Sequence, residues 1–193
     1  MEFHTNKKGA MYMFKCVIEK DLELRLPNSN DAEKLFELID RNKIHLSKWL
    51  PWVKHTKDVE SIVAFIKDIQ NDYISNNGFQ AIIVYKGDFA GVIGYQGINW
   101  SRKSTTIGYW LGESFQGKEI MSKVLNTFID YAFNELCLNK IEIKVAEENY
   151  KSRRLPEKYG FKDEGIIRDA EWLNDRYVNH ILYGILESEW NKK

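Results

Sequence analysis

The stretch Tyr109–Leu125, YWLGESFQGKEIMSKVL, decides how the chain is read. It opens as a strand, passes through a short polar loop containing Gly117, and becomes a helix whose apolar residues Met121, Val124, Leu125, Phe128, Ile129, Ala132, Phe133 and Leu136 form one face. A strand that runs through a loop into a helix presents bare backbone N–H groups and the positive end of the helix dipole, a combination suited to a phosphate. Yet the third position after Gln116 is Glu119, a carboxylate where an anion cradle would favour glycine. The stretch alone reads as an anion site or as an ordinary turn.

Working outward, the same alternation of periods continues in both directions. Toward the N-terminus, FQAIIVYKGDFAGVIGYQGI holds two apolar runs joined at Gly87-Asp88, a two-residue hairpin signal. Before it lies a helix from about Asp58 with Val59, Ile62, Ile66, Ile69 and Tyr73 on one face. Upstream again, Pro51 interrupts HLSKWLPWVKH. A helical stripe of Ala32, Leu35, Phe36 and Ile39 starts at a capping-box pattern, Asn30 with Glu33. VIEKDLELRLP alternates and predicts one strand ending at Pro27. Residues 1–13 are polar and aperiodic and are expected to form a disordered extension, with Met13 as an alternative start and residues 14–193 as one domain. Toward the C-terminus, Ile141, Ile143 and Val145 predict a strand, then a short helix ends at Gly160, and two strands flank Asn174 and Asp175. The order predicts a single α/β (α+β) sheet domain without internal repeats.

Bulk properties narrow the functions. The 193 residues suit one domain, and 28 basic against 28 acidic residues argue against direct nucleic-acid binding. No apolar run approaches a membrane span and the N-terminus lacks a signal-peptide pattern, so a cytoplasmic protein without a membrane partner is expected. Cys16 and Cys137 stand apart, without a zinc pattern, and are expected to be buried small hydrophobes; no metal site is expected.

Three places carry candidate chemistry. The first is the loop itself, with Lys118 as a cation at its rim. The second is Glu113, where the strand exits: desolvation there would raise its pKa and suit it to general-base work, while the plainer reading is a solvated loop glutamate. The third is ENYKSRRLPEKYGF, in which Asn149 and Ser152 are either helix caps or polar groups aimed at a ligand, and Ser152 or Tyr159 is placed to donate a proton.

Taken in order, these motifs resemble the GNAT superfamily of acyl-CoA-dependent N-acetyltransferases, within it the RimJ/RimL-type ribosomal-protein N-acetyltransferases. The likeness spans about residues 24–190 and rests on LRLPNSNDAEKLFELI, HLSKWLPWV, IGYWLGESFQGKEIM, NYKSRRLPEKYGF and EGIIRDAEWLNDRYVNHILYGIL. The resemblance implies a mostly antiparallel mixed sheet with helices on both faces, splayed open between two central parallel strands, Thr105–Gly112 and Ile141–Val145, with acetyl-CoA in the gap and no metal. It implies that the pantetheine meets backbone near Trp110 and Leu111. The pyrophosphate then meets Gln116, Gly117, Lys118, Glu119, Ile120 and Met121, and Asn149 contacts the cofactor arm. Glu113 is implied as the base, acting through water, and Ser152 as the group near the sulfur. The segment holding Trp49 and Trp52 borders the acceptor side and is expected to form a substrate wall or to fill core; His45 and His55 are read as surface or capping residues.

The implied reaction is acetyl transfer to a primary amine, with the N-terminal α-amine of a protein such as a ribosomal protein as favoured acceptor. The alternatives are a small amine, such as a polyamine or an antibiotic, and a non-catalytic CoA-binding module. A homodimer through a late sheet edge is also open. The sequence departs from the family's Gln-Gly-Lys-Gly-Ile-Met at Glu119, which is expected to point outward and to weaken cofactor binding without abolishing it.

Overall fold

Two-residue turns set the sheet. Lys86 and Gly87, both at positive φ (53° and 82°), join β3 (Phe79–Tyr85) to β4 (Asp88–Asn99), so the turn lies one residue earlier than the Gly87-Asp88 reading. Asn174 and Asp175, at φ 51° and 63°, likewise join β7 (Lys162–Leu173) to β8 (Arg176–Leu186). A third tight turn corrects the sequence reading. The predicted single strand before Pro27 is a hairpin, β1 (Lys15–Glu19) and β2 (Leu22–Arg25), because the charged Lys20-Asp21 pair turns and an irregularity between Val17 and Glu19 shifts the register. These elements come from a computed structural model, which describes residues 15–190; the expectation for residues 1–13 lies outside the described residues.

The remaining strands are β5 (Ser104–Leu111) and β6 (Lys140–Ala146), and the sheet order is β1-β2-β3-β4-β5-β6-β8-β7. The β5–β6 neighbours are parallel and the other described pairs antiparallel. This is the mixed sheet the sequence led us to expect, with β7 at one edge.

Helices cover both faces. On one, α1 (Ala32–Arg41) and α3 (Val59–Ile74) bury Leu35, Leu38, Ile39, Ile62 and Ile66 against Ile82, Val84, Phe89 and Val92. On the other, α4 (Ile120–Asn134) buries Val124, Leu125, Phe128 and Ile129 against Ala81, Ile83, Ile93, Ile107 and Ile141. Asp58 caps α3, its carboxylate accepting from Ser61 N at 2.9 Å. The capping box expected at Asn30–Glu33 instead joins Asn28 and Asp31, on the short turn Ser29–Asp31 before α1. There Arg25 donates to both Asp31 oxygens, at 2.6 and 2.7 Å, pinning β2 to the start of α1.

Two short helices, α2 (Lys43–Leu46) and α6 (Glu187–Trp190), and α5 (Tyr150–Lys158) complete the set. Gly160, at φ 73°, follows α5 as the sequence suggested. Cys16 is buried as expected, whereas Cys137 is exposed, sitting at φ 52° in the turn after α4. Among the described residues no helix is long and apolar enough to cross a membrane.

Candidate active site

The site follows from where β5 and β6 stop pairing. Their register holds for Ser104–Thr106 against Lys140–Glu142 and then ends, although β5 continues to Leu111 and β6 to Ala146. A gap opens between them. Gly112 N donates to Ala90 O at 2.8 Å, and alternation along the β4–β5 ladder then turns the N–H and C=O of Trp110 toward β4. The backbone groups of Tyr109 and Leu111 therefore face the gap. Of the two residues expected to meet the pantetheine, Leu111 has its N–H on the open side, and Trp110 has its backbone engaged with β4.

At the far end of β5 the chain turns through Glu113–Phe115 and reaches the loop before α4. Gly117 takes φ 72°, and a Cβ there would meet nothing within 4 Å, so its surroundings are open. The first backbone bond into α4 is Lys123 N to Glu119 O, at 3.1 Å, and Glu119 provides no side-chain cap. The N–H groups of Ile120, Met121 and Ser122 thus lie in the uncapped first turn of a helix, where an anion is favoured. This donor set fits a pyrophosphate.

Glu119 sits at φ 59°, a left-handed conformation that explains why glycine suits the position. Its carboxylate is drawn aside by Lys158 of α5, at 2.9 Å, and Lys158 also reaches Ser122 Oγ at 3.2 Å. Lys118 instead lies over the Phe115 ring, 5.6 Å from its centroid.

Across the gap, Asn149 caps α5, its Oδ1 accepting from Ser152 N at 3.3 Å. The Ser152 hydroxyl donates to Tyr109 Oη at 3.3 Å, and Tyr109 Oη–H lies 3.3 Å from Ser152 O. Burial pushes the Tyr109 pKa up to about 12, against the opposing effect of the Ser152 hydrogen bond, so its hydroxyl stays protonated. Sequence reasoning missed Tyr109; strand alternation placed it on the same face as Leu111, which was the available signal. Tyr159, considered as a proton donor, gives its hydroxyl to Ser122 O at 2.6 Å and ties α5 to α4. Arg153 holds α5 from the other side, donating to Tyr183 Oη at 2.9 Å and Glu147 O at 3.0 Å.

Of the two readings of Glu113, the structure has the plainer one, a solvated loop glutamate. Its side chain, on the turn Glu113–Phe115 that follows β5, is 73% exposed. It is not isolated: Asn42 Oδ1 accepts from its backbone N–H at 2.8 Å, and His45 Nδ1 stands 4.0 Å from Oε1. Glu113 also borders a cleft of about 600 Å3 shared with Leu38, Arg41, Asn42 and Phe115, on the α1 side, which includes none of Tyr109, Asn149 or Ser152.

The opposite rim carries a second carboxylate and imidazole, also missed in the sequence. His180, paired with Ala146 at the end of β6, lies 3.5 Å from the Glu171 carboxylate. The β7–β8 hairpin reaches over to α2, with Asn174 Nδ2 3.4 Å from both Ser47 O and Lys48 O. Trp52 packs at 6.0 Å from Trp110 and is 38% exposed, while Trp49 is half-buried. Trp52 therefore packs against Trp110 of β5 while part of its ring stays exposed.

A sheet splayed at β5–β6, with a helix N-terminus at the end of the gap, defines the class. Residues 21–162 match the acetyltransferase (GNAT) domain family, and the chain belongs to it. It is an acyl-CoA-dependent N-acetyltransferase. It is 35% identical over 179 residues to the putative ribosomal N-acetyltransferase YdaF of Bacillus subtilis (strain 168), covering 92% of this chain and 98% of the relative. It is 31% identical to the ribosomal-protein-serine acetyltransferase of Escherichia coli (strain K12), over 89% of this chain and 97% of the relative. Among solved structures, the Microcin C7 self immunity acetyltransferase MccE in complex with acetyl-CoA and AMP aligns with a TM-score of 0.84 and 30% identity, over 88% of this chain and 94% of that one.

Proposed function

We propose that the chain moves acetyl from acetyl-CoA directly to the N-terminal α-amine of a protein, with a ribosomal protein as acceptor. The observation that supports the chemistry is the β5–β6 gap, faced by the Leu111 N–H and lined by the Tyr109–Ser152 hydroxyl pair, with the Glu113 turn following directly on the end of β5. The acceptor assignment is supported by the two relatives that align along nearly the whole chain and carry ribosomal acceptors in their names.

Acetyl-CoA supplies a thioester carbonyl open to attack by an amine. The chain's own groups supply the rest. The uncapped first turn of α4 and Gly117 hold the pyrophosphate, and Asn149 meets the cofactor arm. Leu111 N–H draws charge on the carbonyl oxygen. Glu113 takes the proton shed by the attacking nitrogen, through a water that its exposed position admits. As the thiolate leaves, the Ser152 hydroxyl rotates from Tyr109 to donate to the sulfur, and the neutral Tyr109 hydroxyl, 3.3 Å away, donates to Ser152 Oγ in return. An α-amine, with a pKa of about 7.7–8.0 against about 10.4 for lysine, is partly neutral near pH 7 and needs only a modest base. An exposed carboxylate suits that demand better than it would suit lysine. The segment from Ser47 to Trp52 and the hairpin tip at Asn174 frame the acceptor's entrance.

The test is thiol release from acetyl-CoA with a free-N-terminus peptide, for wild type and Glu113→Gln. The variant is expected to be about 100-fold slower at pH 7, the lower end of general-base effects, with the difference narrowing above pH 8. Unchanged turnover at every pH removes Glu113 as base. Glu171, beside His180 on the opposite rim, is then the next carboxylate to replace.

A further inference from the structure

His45 is the half-buried titratable group at the mouth that the mechanism above leaves unused. Its side chain is 19% exposed, and its Nε2 lies 2.9 Å from Gln116 Nε2. An amide nitrogen has only N–H to give, so the ring Nε2 accepts and the ring proton resides on Nδ1. Nδ1 stands 4.0 Å from Glu113 Oε1, beyond a direct hydrogen bond but within the span that one bridging water or a small rotation of the exposed glutamate closes. A second tie runs beside the first: Asn42 Oδ1 takes the Glu113 backbone N–H at 2.8 Å, while Asn42 Nδ2 is fixed on Leu38 O at 2.8 Å. Asn42, between α1 and α2, and His45, within α2, therefore grip the Glu113–Gln116 turn at its two ends. Burial lowers the His45 pKa; Glu113 opposes this, and Lys48 and Lys151 reinforce it, which favours the neutral ring that the Gln116 contact requires.

We propose that His45 is a positioning residue for acetyl transfer: it orients the Glu113 carboxylate at the mouth and, through Gln116, registers that carboxylate to the loop that carries the cofactor's phosphates. The proposal rests on the assignments of Glu113 as base and of Gln116–Met121 as the phosphate loop. Its physical basis is rotamer freedom. A glutamate exposed to this degree, if untethered, samples on the order of ten staggered combinations of its first two torsions, few of which face the reacting nitrogen. A neutral N–H donor 4.0 Å from one oxygen favours the subset of them in which the pair closes directly or through a water. Losing that donor is expected to cost about three- to tenfold in rate, far less than losing the base itself.

The experiment measures kcat and KM for acetyl-CoA and a free-N-terminus peptide in the full chain, for His45→Ala, His45→Asn, Glu113→Gln and the double variant His45→Ala/Glu113→Gln, with thermal melting as the check on folding. His45→Ala is expected to lower kcat about three- to tenfold with KM for acetyl-CoA changed less than about twofold. His45→Asn, whose side-chain N–H stands where the Nδ1–H stood, recovers part of that loss and keeps the test open should the alanine variant fold poorly. In the Glu113→Gln background, His45→Ala costs nothing further. Wild-type kcat in a folded His45→Ala, or losses that multiply in the double variant while Glu113→Gln is itself slow, overturn this proposal alone. Wild-type kcat in Glu113→Gln overturns the base assignment and this proposal with it.

Discussion

Glu119→Gly changes one side chain at the mouth of the loop proposed to hold the cofactor's phosphates and separates two effects. The first is on binding. A carboxylate about 6 Å from a phosphate charge repels it by roughly 0.7 kcal/mol in water and roughly 3 kcal/mol at an effective dielectric of 20. The Glu119 side chain is 68% exposed, which puts the repulsion near the lower figure, or about threefold in affinity. The substitution also releases Lys158, now held at 2.9 Å by Glu119, to face the phosphates. Together these predict acetyl-CoA binding about three- to tenfold tighter than wild type at low ionic strength. Screening erodes the gain, which should shrink by about 0.5 M salt, where the Debye length falls toward 4 Å. The second effect is on stability. Glycine removes the left-handed strain at φ 59° but adds freedom to the unfolded chain, two contributions of about 1 kcal/mol and opposite sign. The melting temperature should therefore move little. Isothermal titration with acetyl-CoA at two salt concentrations is the assay. Equal or weaker binding by Glu119→Gly at low salt, in a folded protein, refutes the reasoning.

Three further outcomes follow from the packing. Tyr109, with its pKa raised to about 12 by burial, keeps its proton in the fold while an unfolded tyrosine loses it near pH 10; stability is complete below pH 10 and falls as pH rises toward 12. The loss from this residue approaches about 2–3 kcal/mol, and Tyr109→Phe should flatten that part of the alkaline profile in urea titrations at pH 9 and 11. Asp31→Asn leaves the Arg25 guanidinium without its bidentate partner and should cost about 2–4 kcal/mol in denaturant unfolding, while kcat, measured well below the transition, stays unchanged. Trp52→Ala uncovers the Trp110 ring at the proposed acceptor side and should raise KM for peptide severalfold with little change in KM for acetyl-CoA; equal changes in both remove Trp52 from that proposal.

Much of this was legible in the residues because local signals and burial agree. The stripe from Val124 to Phe133 became the buried face of α4, and Asn174-Asp175 became a turn with two positive φ angles, as their types require. The Val17–Pro27 segment misled because its alternation persists on both sides of Lys20-Asp21, and a two-residue turn leaves little trace in a periodic pattern. The Gly87-Asp88 turn slipped by one residue because Lys86 takes a left-handed conformation that its type rarely signals. At the site, the loop and Asn149–Ser152 stood out because they are contiguous motifs. His45, Tyr109 and the Glu171–His180 pair did not, since their partners lie 71, 43 and 9 residues away or across a strand pair, and only the fold brings them together. The Lys158 grip on Glu119 was hidden for the same reason: a carboxylate in a phosphate loop looks like pure repulsion until a lysine from another helix turns it aside.

The central claim is transfer to a protein α-amine, and it is tested most directly by mapping the product. Incubation of the full chain with acetyl-CoA and matched peptides from ribosomal-protein N-termini, with the α-amine free or blocked and an internal lysine present in both, gives a result readable by tandem mass spectrometry. Spermidine and an aminoglycoside complete the panel. Acetyl on the free α-amine, none on the blocked peptide and little on the small amines is the expected pattern. Equal acetylation of lysine or of the small amines contradicts the assigned acceptor, and no acetylated product from any amine, at millimolar acetyl-CoA, contradicts the account as a whole.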